Sequence, residues 1–300
     1  MMIGVCTRPN LNCGDDMSRI VYVNGAFLAE EDARISVFDR GFLMADAVYE
    51  VTSVLDGKLC DYDAHMTRLH RSLDALEMAA PCSDDELLQV HRDLVTKNEI
   101  DEGLVYLQVT RGEADRDFAW PKDTKPGLVL FTQKKPVVDT AVAANGISVT
   151  AIEDLRWGRR DIKTTQLLFP SWAKMQAKAV GKDDAWLTDP EGLVNEGTSN
   201  NAYIVKDGAI ITRQLSNDIL HGITRASVLK LAAEAQLKII ERPFTIAEAQ
   251  EAEEAFSTSA SAFVCPVVQV EETVLGDGKP GPVTRRLREI YIDNARTGAI

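Results

Sequence analysis

Residues 159–168 read RRDIKTTQLL and place Lys163 between two segments of regular pattern. The preceding residues, 146–155, form an extended run, and those from 167 to 181 have the apolar spacing of a helix. A lysine at such a junction has its stem held by packed structure and its amine directed into the space between the two elements. That placement suits a lysine that forms a Schiff base with a carbonyl compound, although for this stretch alone a surface lysine is the commoner outcome.

The residues before this stretch predict strands and two helices. The dipeptides Asn24-Gly25 and Asp56-Gly57 are typical of tight hairpin turns between β-rich segments. Helical spacing covers residues 63–78, and a capping box at residues 83–86 opens a second helix that runs to Asn98. Strands follow Gly103 and Gly127, so the first half predicts a mixed, mainly antiparallel sheet with two helices on one face, an α+β arrangement.

The chain as a whole predicts two domains. The regular pattern lapses after Lys134, and the second half then alternates strands with helices that open at Gly222 and near Val283. The predicted divisions are a disordered leader at residues 1–16, a small N-terminal domain at 17–135, an interdomain linker at 136–145 and a larger domain at 146–300.

Net charge, cysteine content and apolar run length limit the binding partners and cell compartments that are expected for this chain. The formal net charge of −13 disfavours nucleic acid and anionic membranes, because both are polyanions. The five cysteines are scattered, have no metal-ligand spacing and suggest no disulfide framework, so a reducing cytoplasm is expected and no metal site is predicted. No apolar run is long enough to span a bilayer.

Five polar features are candidates for chemistry. They are Lys163, Glu196 within VNEGTSNN at 194–201, the helix opening HGITR at 221–225, the hydroxyl-rich run STSAS at 257–261, and Arg68 on the first helix. Each has an ordinary explanation: a surface amine, a solvated turn carboxylate, a helix cap, a loop, and a cation that balances Asp61 and Asp63. Together they supply an amine for an aldehyde, a carboxylate for a ring nitrogen and three phosphate-holding groups, which fits pyridoxal phosphate.

The order of the motifs carries a resemblance to a known family. Along the chain they are RGFLMADAVYEV, RLHRSL, YLQVTRG, RRDIKTTQLL, VNEGTSNN, HGITR and STSAS. The chain resembles the fold-type IV pyridoxal-phosphate enzymes and is most similar to the bacterial D-amino-acid aminotransferases. The resemblance implies a homodimer whose subunits have a small α+β domain and a larger, mixed β-barrel-like domain. It places the cofactor in the interdomain cleft and partner residues at the substrate pocket.

The resemblance also implies roles for individual residues. Lys163 matches the Schiff-base lysine and proton shuttle, and Glu196 matches the carboxylate that pairs with the pyridine nitrogen. The remaining cofactor matches are Arg68, Ile223 and Thr224 at the phosphate, Ser259 and Ala260 at the same group, and Leu220 against the ring. Ala260 stands where the family usually has a hydroxyl, so it can offer only its backbone N–H.

The substrate side departs from the family. Tyr49 matches a pocket tyrosine, and Arg116 matches the arginine that binds the substrate carboxylate, but Phe118 replaces the usual histidine. An arginine alone still binds a carboxylate through two hydrogen bonds, so D-amino acids remain the expected substrates. The change weakens discrimination against primary (R)-amines.

The expected reaction is a ping-pong transamination of D-amino acids such as D-alanine or D-glutamate with an α-keto acid. The same cofactor residues would serve an (R)-amine aminotransferase, a branched-chain L-amino-acid aminotransferase or an aminodeoxychorismate lyase. A catalytically idle vitamin-binding protein is a further alternative, against which Lys163 and Glu196 argue. His65, His70 and His91 are expected on solvated helix faces.

Overall fold

A computed structural model describes residues 18–300, so the leader predicted at residues 1–16 lies outside the described part. The strands in chain order are β1 Ile20–Val23, β2 Ala26–Ala29, β3 Ala47–Leu55, β4 Lys58–Leu59, β5 Gly103–Thr110, β6 Gly127–Lys134, β7 Ile147–Glu153, β8 Asp184–Thr188, β9 Val194–Gly197, β10 Asn201–Lys206, β11 Ala209–Thr212, β12 Lys238–Glu241, β13 Glu254–Ser259, β14 Phe263–Val270 and β15 Thr273–Val274. The helices are α1 Arg40–Met44, α2 Tyr62–Ala75, α3 Asp84–Lys97, α4 Ala141–Asn145, α5 Leu168–Ala179, α6 Ile223–Glu234, α7 Ile246–Gln250 and α8 Pro282–Gly298.

The first half forms a six-stranded sheet in the order β2-β1-β6-β5-β3-β4. Every neighbouring pair is antiparallel, so the sheet is simpler than the mixed one that was predicted. Inward-facing residues such as Val105 and Leu107 pack with Leu69 of α2 and Leu94 of α3, which confirms two helices on one face. The predicted capping box of α3 is present, with the Glu86 backbone N–H donating to Ser83 Oγ.

The second half forms a nine-stranded sheet whose main path is β12-β11-β10-β13-β14-β7-β8-β9. The pairs β11–β12, β14–β7 and β7–β8 are parallel and the others antiparallel, as expected for a mixed sheet. Alternate residues of β10 pack on opposite sides, Tyr203 with α6 and α8 and Ile204 with Phe244. Helices and loops therefore cover both faces of this sheet.

The connection between the two sheets is partly ordered. Helix α4 occupies the second half of the predicted linker and is capped by Thr140 Oγ, which accepts from the Ala143 N–H. Five residues are too few to produce a recognisable helical period. The sequence therefore predicted an irregular linker where the structure has this short helix. Val137, nearer the first sheet, is fully buried.

The lysine segment is attached to the first sheet, although the sequence assigns it to the second half. Thr164 forms a β-bridge with Val48, and the Tyr49 N–H donates to the Lys163 carbonyl at 3.0 Å. Ile162 belongs to the apolar core beneath the first sheet. Lys163 is consequently held by β3 while its chain neighbours on both sides lead into the second sheet.

Candidate active site

A cavity of about 1080 Å³ lies between the two sheets. All the predicted cofactor residues and Tyr49 line it: Tyr49, Arg68, Lys163, Glu196, Leu220, Ile223, Thr224, Ser259 and Ala260. The structure thus brings together residues that are separated by more than half of the chain. Polar groups gather at two places in this space, around Glu196 and around the start of α6.

Lys163 is half-buried, and its Nζ lies 4.2 Å from the centroid of the Tyr49 ring. Its backbone is fixed on both sides, because its carbonyl accepts from Tyr49 and its N–H donates to Ser72 Oγ at 3.4 Å. A cation over the face of an aromatic ring is attracted by the ring's negative face. The amine is therefore oriented toward the cavity without a carboxylate partner among the described residues.

Glu196 is buried and accepts three hydrogen bonds. Arg156 Nη1 donates to Oε1 at 2.7 Å, while Asn201 Nδ2 and the Leu220 N–H donate to Oε2 at 2.9 and 3.0 Å. Burial raises the pKa of Glu196, and the Arg156 guanidinium opposes that rise. Oε1 keeps one free lone pair, so the carboxylate can accept a further N–H from the cavity side.

Arg68 is buried beneath the cavity wall and paired with Glu50. Its Nε and Nη2 donate to the two oxygens of Glu50, each at 2.7 Å, and Nη1 donates to the His221 carbonyl at 3.1 Å. His65 Nδ1 bonds the same carboxylate at 2.8 Å. Of the five N–H groups of the guanidinium, two remain for a ligand in the cavity.

The start of α6 opens onto the same region. Gly222 precedes the helix, no side chain caps it, and Ile223 and Thr224 provide its first N–H groups. Such groups have no partner inside the helix and favour an anion. A Cβ on Gly222 would come within 2.2 Å of Asn201 Oδ1, so only glycine fits beside the residue that also bonds Glu196.

The turn at residues 260–262 joins β13 to β14 and completes the cavity wall. Ser53 of the first sheet donates from Oγ to the Ala260 carbonyl at 2.6 Å. Ser259 and Ser261 lie on the cavity side with their hydroxyl oxygens 3.5 Å apart. Both sheets consequently fix this hydroxyl-bearing turn.

Arg116 and Phe118 are not brought to the main cavity. They line a neighbouring cavity of about 400 Å³ beside Arg111 and Trp120. Phe118 is 82% exposed, and the Arg116 guanidinium lies 5.4 Å from its ring centroid. The two cavities share Ala45, Trp157, Thr164 and Gln166, so the loop borders the site without reaching Lys163 in the same chain.

The donor set fits pyridoxal phosphate. Around the start of α6 the cavity offers Arg68, an uncapped helix start and hydroxyl groups to a dianion. Around Glu196 it offers a buried carboxylate with a free lone pair to a protonated ring nitrogen, and the Lys163 amine lies in the same space. A protein-family model described as amino-transferase class IV matches residues 47–270.

The chain belongs to the class IV aminotransferases.

Curated relatives of this aminotransferase align over nearly their whole length. The D-alanine aminotransferase of Staphylococcus haemolyticus is 37% identical over 272 residues, which cover 90% of this chain and 95% of the relative. The D-alanine aminotransferase of Bacillus licheniformis is 35% identical and covers 89% and 94%. The predicted family, the enzyme class and the dependence on pyridoxal phosphate are thereby confirmed.

Solved structures support the fold of the aminotransferase. The branched-chain aminotransferase from T.th. in complex with N-(5'-phosphopyridoxyl)-L-glutamate gives a TM-score of 0.84 at 26% identity and covers 94% of this chain and 95% of that one. The Escherichia coli branched-chain aminotransferase gives 0.86 at 22% identity, with 93% and 95% covered. The predicted α+β fold of type IV is confirmed. None of the helices formed by residues 18–300 combines the length and apolarity needed to cross a membrane.

Sequence reasoning missed two residues of the aminotransferase site. Arg156, which forms ion pairs with Asp154 and Glu196, belongs to none of the motifs that the sequence shows. Glu50 could have been found, because it occupies an inward position of β3 between Val48 and Val54, where an acid requires a partner.

The prediction for the histidines was wrong at two positions. His65 and His91 are buried at 2% and 0% exposure, while His70 is partly exposed and paired with Asp84. Burial lowers the pKa of His91 to about 4. Burial alone would raise the pKa of Glu50, but Arg68 and His65 hold it well below its ordinary value.

Proposed function

We propose that this aminotransferase moves the amino group of D-amino acids, such as D-alanine or D-glutamate, to an α-keto acid in two half-reactions. The observation that carries the proposal is the position of the Lys163 amine in one cavity with Glu196 and with the anion-favouring start of α6. The curated D-alanine aminotransferases, matched over nearly their whole length, support the choice of D-amino acids.

Arg68, Ile223 and Thr224 would hold the phosphate, together with Ser259 and the backbone of Ala260. Leu220 would pack against the ring, since it lines the cavity next to the Glu196 contact. When bound, pyridoxal phosphate supplies an aldehyde for an amine and a ring that accepts an electron pair from the substrate carbon.

Lys163 would act as both nucleophile and proton carrier. Its Nζ would take the proton from the substrate α-carbon and deliver a proton to the cofactor carbon. The fixed backbone of Lys163 keeps the amine within reach of both carbons. Glu196 would accept the ring N–H through the free lone pair of Oε1. The three donors to Glu196 keep the carboxylate in place during the reaction.

Arg116 would bind the substrate carboxylate, and we propose a homodimer that makes this possible. The guanidinium is exposed and lies at a cavity that adjoins the main one within its own chain. A second copy could present its Arg116 to the open side of the main cavity. Phe118 carries no donor for the carboxylate, so recognition of this group rests on Arg116 and Tyr49.

A branched-chain L-amino-acid aminotransferase is the second candidate, because several solved structures with high TM-scores are of that class. Half-reaction spectra with D-alanine, D-glutamate, L-leucine and (R)-1-phenylethylamine, followed by a keto-acid acceptor, separate the possibilities. We expect the two D-amino acids to convert fastest. Faster conversion of L-leucine would contradict the proposal, and pyruvate formed from aminodeoxychorismate without an acceptor would indicate a lyase.

We also propose a cytoplasmic location and a division into a small domain at residues 17–135, a linker at 136–145 and a cofactor domain at 146–300. Three cysteines of the described residues, Cys60, Cys82 and Cys265, are unpaired, which suits a reducing compartment. The two separate sheets support the division of the chain.

A further inference from the structure

Phe263, the first residue of β14, has an unusual backbone conformation. Its φ angle is +57°, in the left-handed region that bulky side chains rarely adopt. It closes a three-residue hairpin loop at 260–262, and in such loops the left-handed position is usually glycine. A strained residue persists only where its surroundings hold it, and such residues cluster at functional sites.

The residues that hold Phe263 belong to α8. The Phe263 ring is fully buried and packs against Tyr291 with 5.1 Å between ring centroids. Arg288 Nη1 donates to the carbonyls of Ala262 at 2.7 Å and Val264 at 2.9 Å, the residues on either side of Phe263. One nitrogen thus bonds the peptide that precedes Phe263 and the peptide that follows Val264, so the left-handed residue is held between two fixed carbonyls.

The second terminal nitrogen of Arg288 bonds the start of the linker. Nη2 donates to the carbonyls of Val137 at 2.8 Å and Val138 at 2.6 Å. The N–H groups of the same two residues donate to Glu102 Oε1. The peptides of this segment are therefore held from both sides.

The Arg288 guanidinium donates its hydrogen bonds to backbone carbonyls, and it lies 5.8 Å from the centroid of the Phe263 ring. Its four acceptors are carbonyls, and within residues 18–300 no carboxylate pairs with it at 4 Å or less. A buried arginine usually meets an acid. A planar fork with several donors is suited to fixing several carbonyls at once, which a lysine cannot reproduce.

We propose that Arg288 is a positioning residue for the cofactor phosphate. By holding Phe263 in its left-handed conformation, it sets the turn at 260–262 and so the backbone of Ala260 and the hydroxyls of Ser259 and Ser261. Ser53 fixes the same turn from the first sheet. The inference rests on the proposed function, in which this turn binds phosphate.

A merely stabilising role for Arg288 would lower thermal stability and weaken every ligand alike. A positioning role acts on the phosphate contacts specifically. Pyridoxal carries a hydroxyl where pyridoxal phosphate carries the phosphate ester. The change in the ratio of the two dissociation constants from wild type to variant therefore isolates the effect of the substitution on the phosphate site.

The full-length protein is purified, its cofactor is removed, and the resulting apoenzyme is titrated with pyridoxal phosphate and, separately, with pyridoxal. The variants are Arg288→Lys, Arg288→Met and, as a matched control, Arg286→Met on the exposed side of the same helix. We expect both Arg288 variants to reduce the preference for the phosphorylated compound by about tenfold, with pyridoxal affinity little changed. The ³¹P resonance of the bound phosphate should shift and broaden in both variants and stay unchanged in Arg286→Met.

An unchanged preference in both Arg288 variants would overturn the inference even if thermal stability fell. A wild-type preference in Arg288→Lys alone would also overturn it, because charge rather than the fork would then be responsible. If the wild-type protein itself did not prefer the phosphorylated compound, the proposed phosphate site would fail instead. The two failures are therefore distinguishable.

Discussion

The region of the main cavity around Arg68 and Glu196, here called the cofactor end, and the loop that carries Arg116 are built in opposite ways. Arg68 and Glu196 are buried at 6% and 3% exposure, and each is held by several hydrogen bonds. Arg116 and Phe118 are exposed, and the Arg116 guanidinium lies 5.4 Å from the Phe118 ring centroid. The protein fixes the groups that would serve any amine and leaves those that would choose the substrate at its surface.

This difference separates two kinds of residue. A buried, bonded group affects stability and chemistry together, because removing it leaves its partners unsatisfied. An exposed loop residue affects recognition with little change in stability, since surface substitutions usually change it by about 0.5 kcal/mol or less.

Lys163→Ala should have the largest effect. We expect turnover of D-alanine to fall by more than about 10⁴-fold, because the variant loses both the nucleophile and the proton carrier. The visible absorbance of covalently bound cofactor should disappear. Steady-state kinetics and absorbance spectra measure both, with Lys230→Ala on the exposed face of α6 as the control. Normal turnover in Lys163→Ala would refute the proposed mechanism.

Glu196→Gln should reduce turnover by about 10²-fold. All three partners of Glu196 are donors, so the amide nitrogen of glutamine must face a donor in either orientation. We therefore also expect the free energy of unfolding to fall by about 2 kcal/mol. Kinetics and denaturant unfolding give the two values, with exposed Glu191→Gln as the control. A loss of activity at full stability would show that the two effects are separable at this end.

His91 should make stability depend on pH in a defined window. Burial lowers its pKa in the folded protein to about 4, whereas the unfolded chain binds the proton near the ordinary value. Stability is therefore lost as the pH falls from the ordinary value toward 4, by about 2 kcal/mol at about pH 5. Urea unfolding at about pH 8 and at about pH 5 measures this loss of stability. The loss should be about 2 kcal/mol smaller in His91→Leu. It should be unchanged in His70→Leu, where the histidine is partly exposed. Equal losses in wild type and His91→Leu would contradict this assignment.

Arg116→Ala should raise KM for D-alanine by about tenfold through loss of a charge-assisted contact to the carboxylate. Its thermal midpoint should stay close to that of wild type, because the side chain is exposed. Lys122→Ala, in the same exposed loop, is the control. A marked loss of stability would mean that the loop is not built differently from the cofactor end.

Phe118→His should have the smallest effect. A histidine can donate to a carboxylate, so we expect the preference for D-alanine over (R)-1-phenylethylamine to rise severalfold. Competition between the two amines in one reaction measures the ratio. An unchanged ratio would place the selectivity elsewhere in the cavity.

Part of the cofactor end could be predicted from sequence patterns, because some of its residues lie at element boundaries. Arg68 lies within α2, and its predicted role rests on the family resemblance. Gly222 opens α6 and Ser259 ends β13, and such boundaries have local signals in the chain. The pairing of Arg156 with Glu196 could not be predicted from the sequence, because it joins residues 40 positions apart and Arg156 lies in a loop without a periodic pattern. The attachment of Lys163 to β3 is equally non-local.

The histidines show a different limit. His65 lies four residues before Leu69, and His91 four residues after Leu87, so both follow the apolar side of their helices. The prediction of solvated positions followed the polarity of the histidine side chain and not this spacing, and it was wrong for both residues. Their buried positions depend on Glu50 and on the Leu87 carbonyl, which bond His65 and His91.

The hydrogen bond from the Tyr49 N–H to the Lys163 carbonyl has a practical consequence for engineering. Changes that bend β3 near Tyr49 will displace the Lys163 amine together with the cavity wall. Val51, Tyr106 and Phe131 line the same cavity farther along the sheet. A library that varies these three positions and leaves the backbone at Tyr49 untouched can therefore reshape substrate choice while the lysine keeps its place.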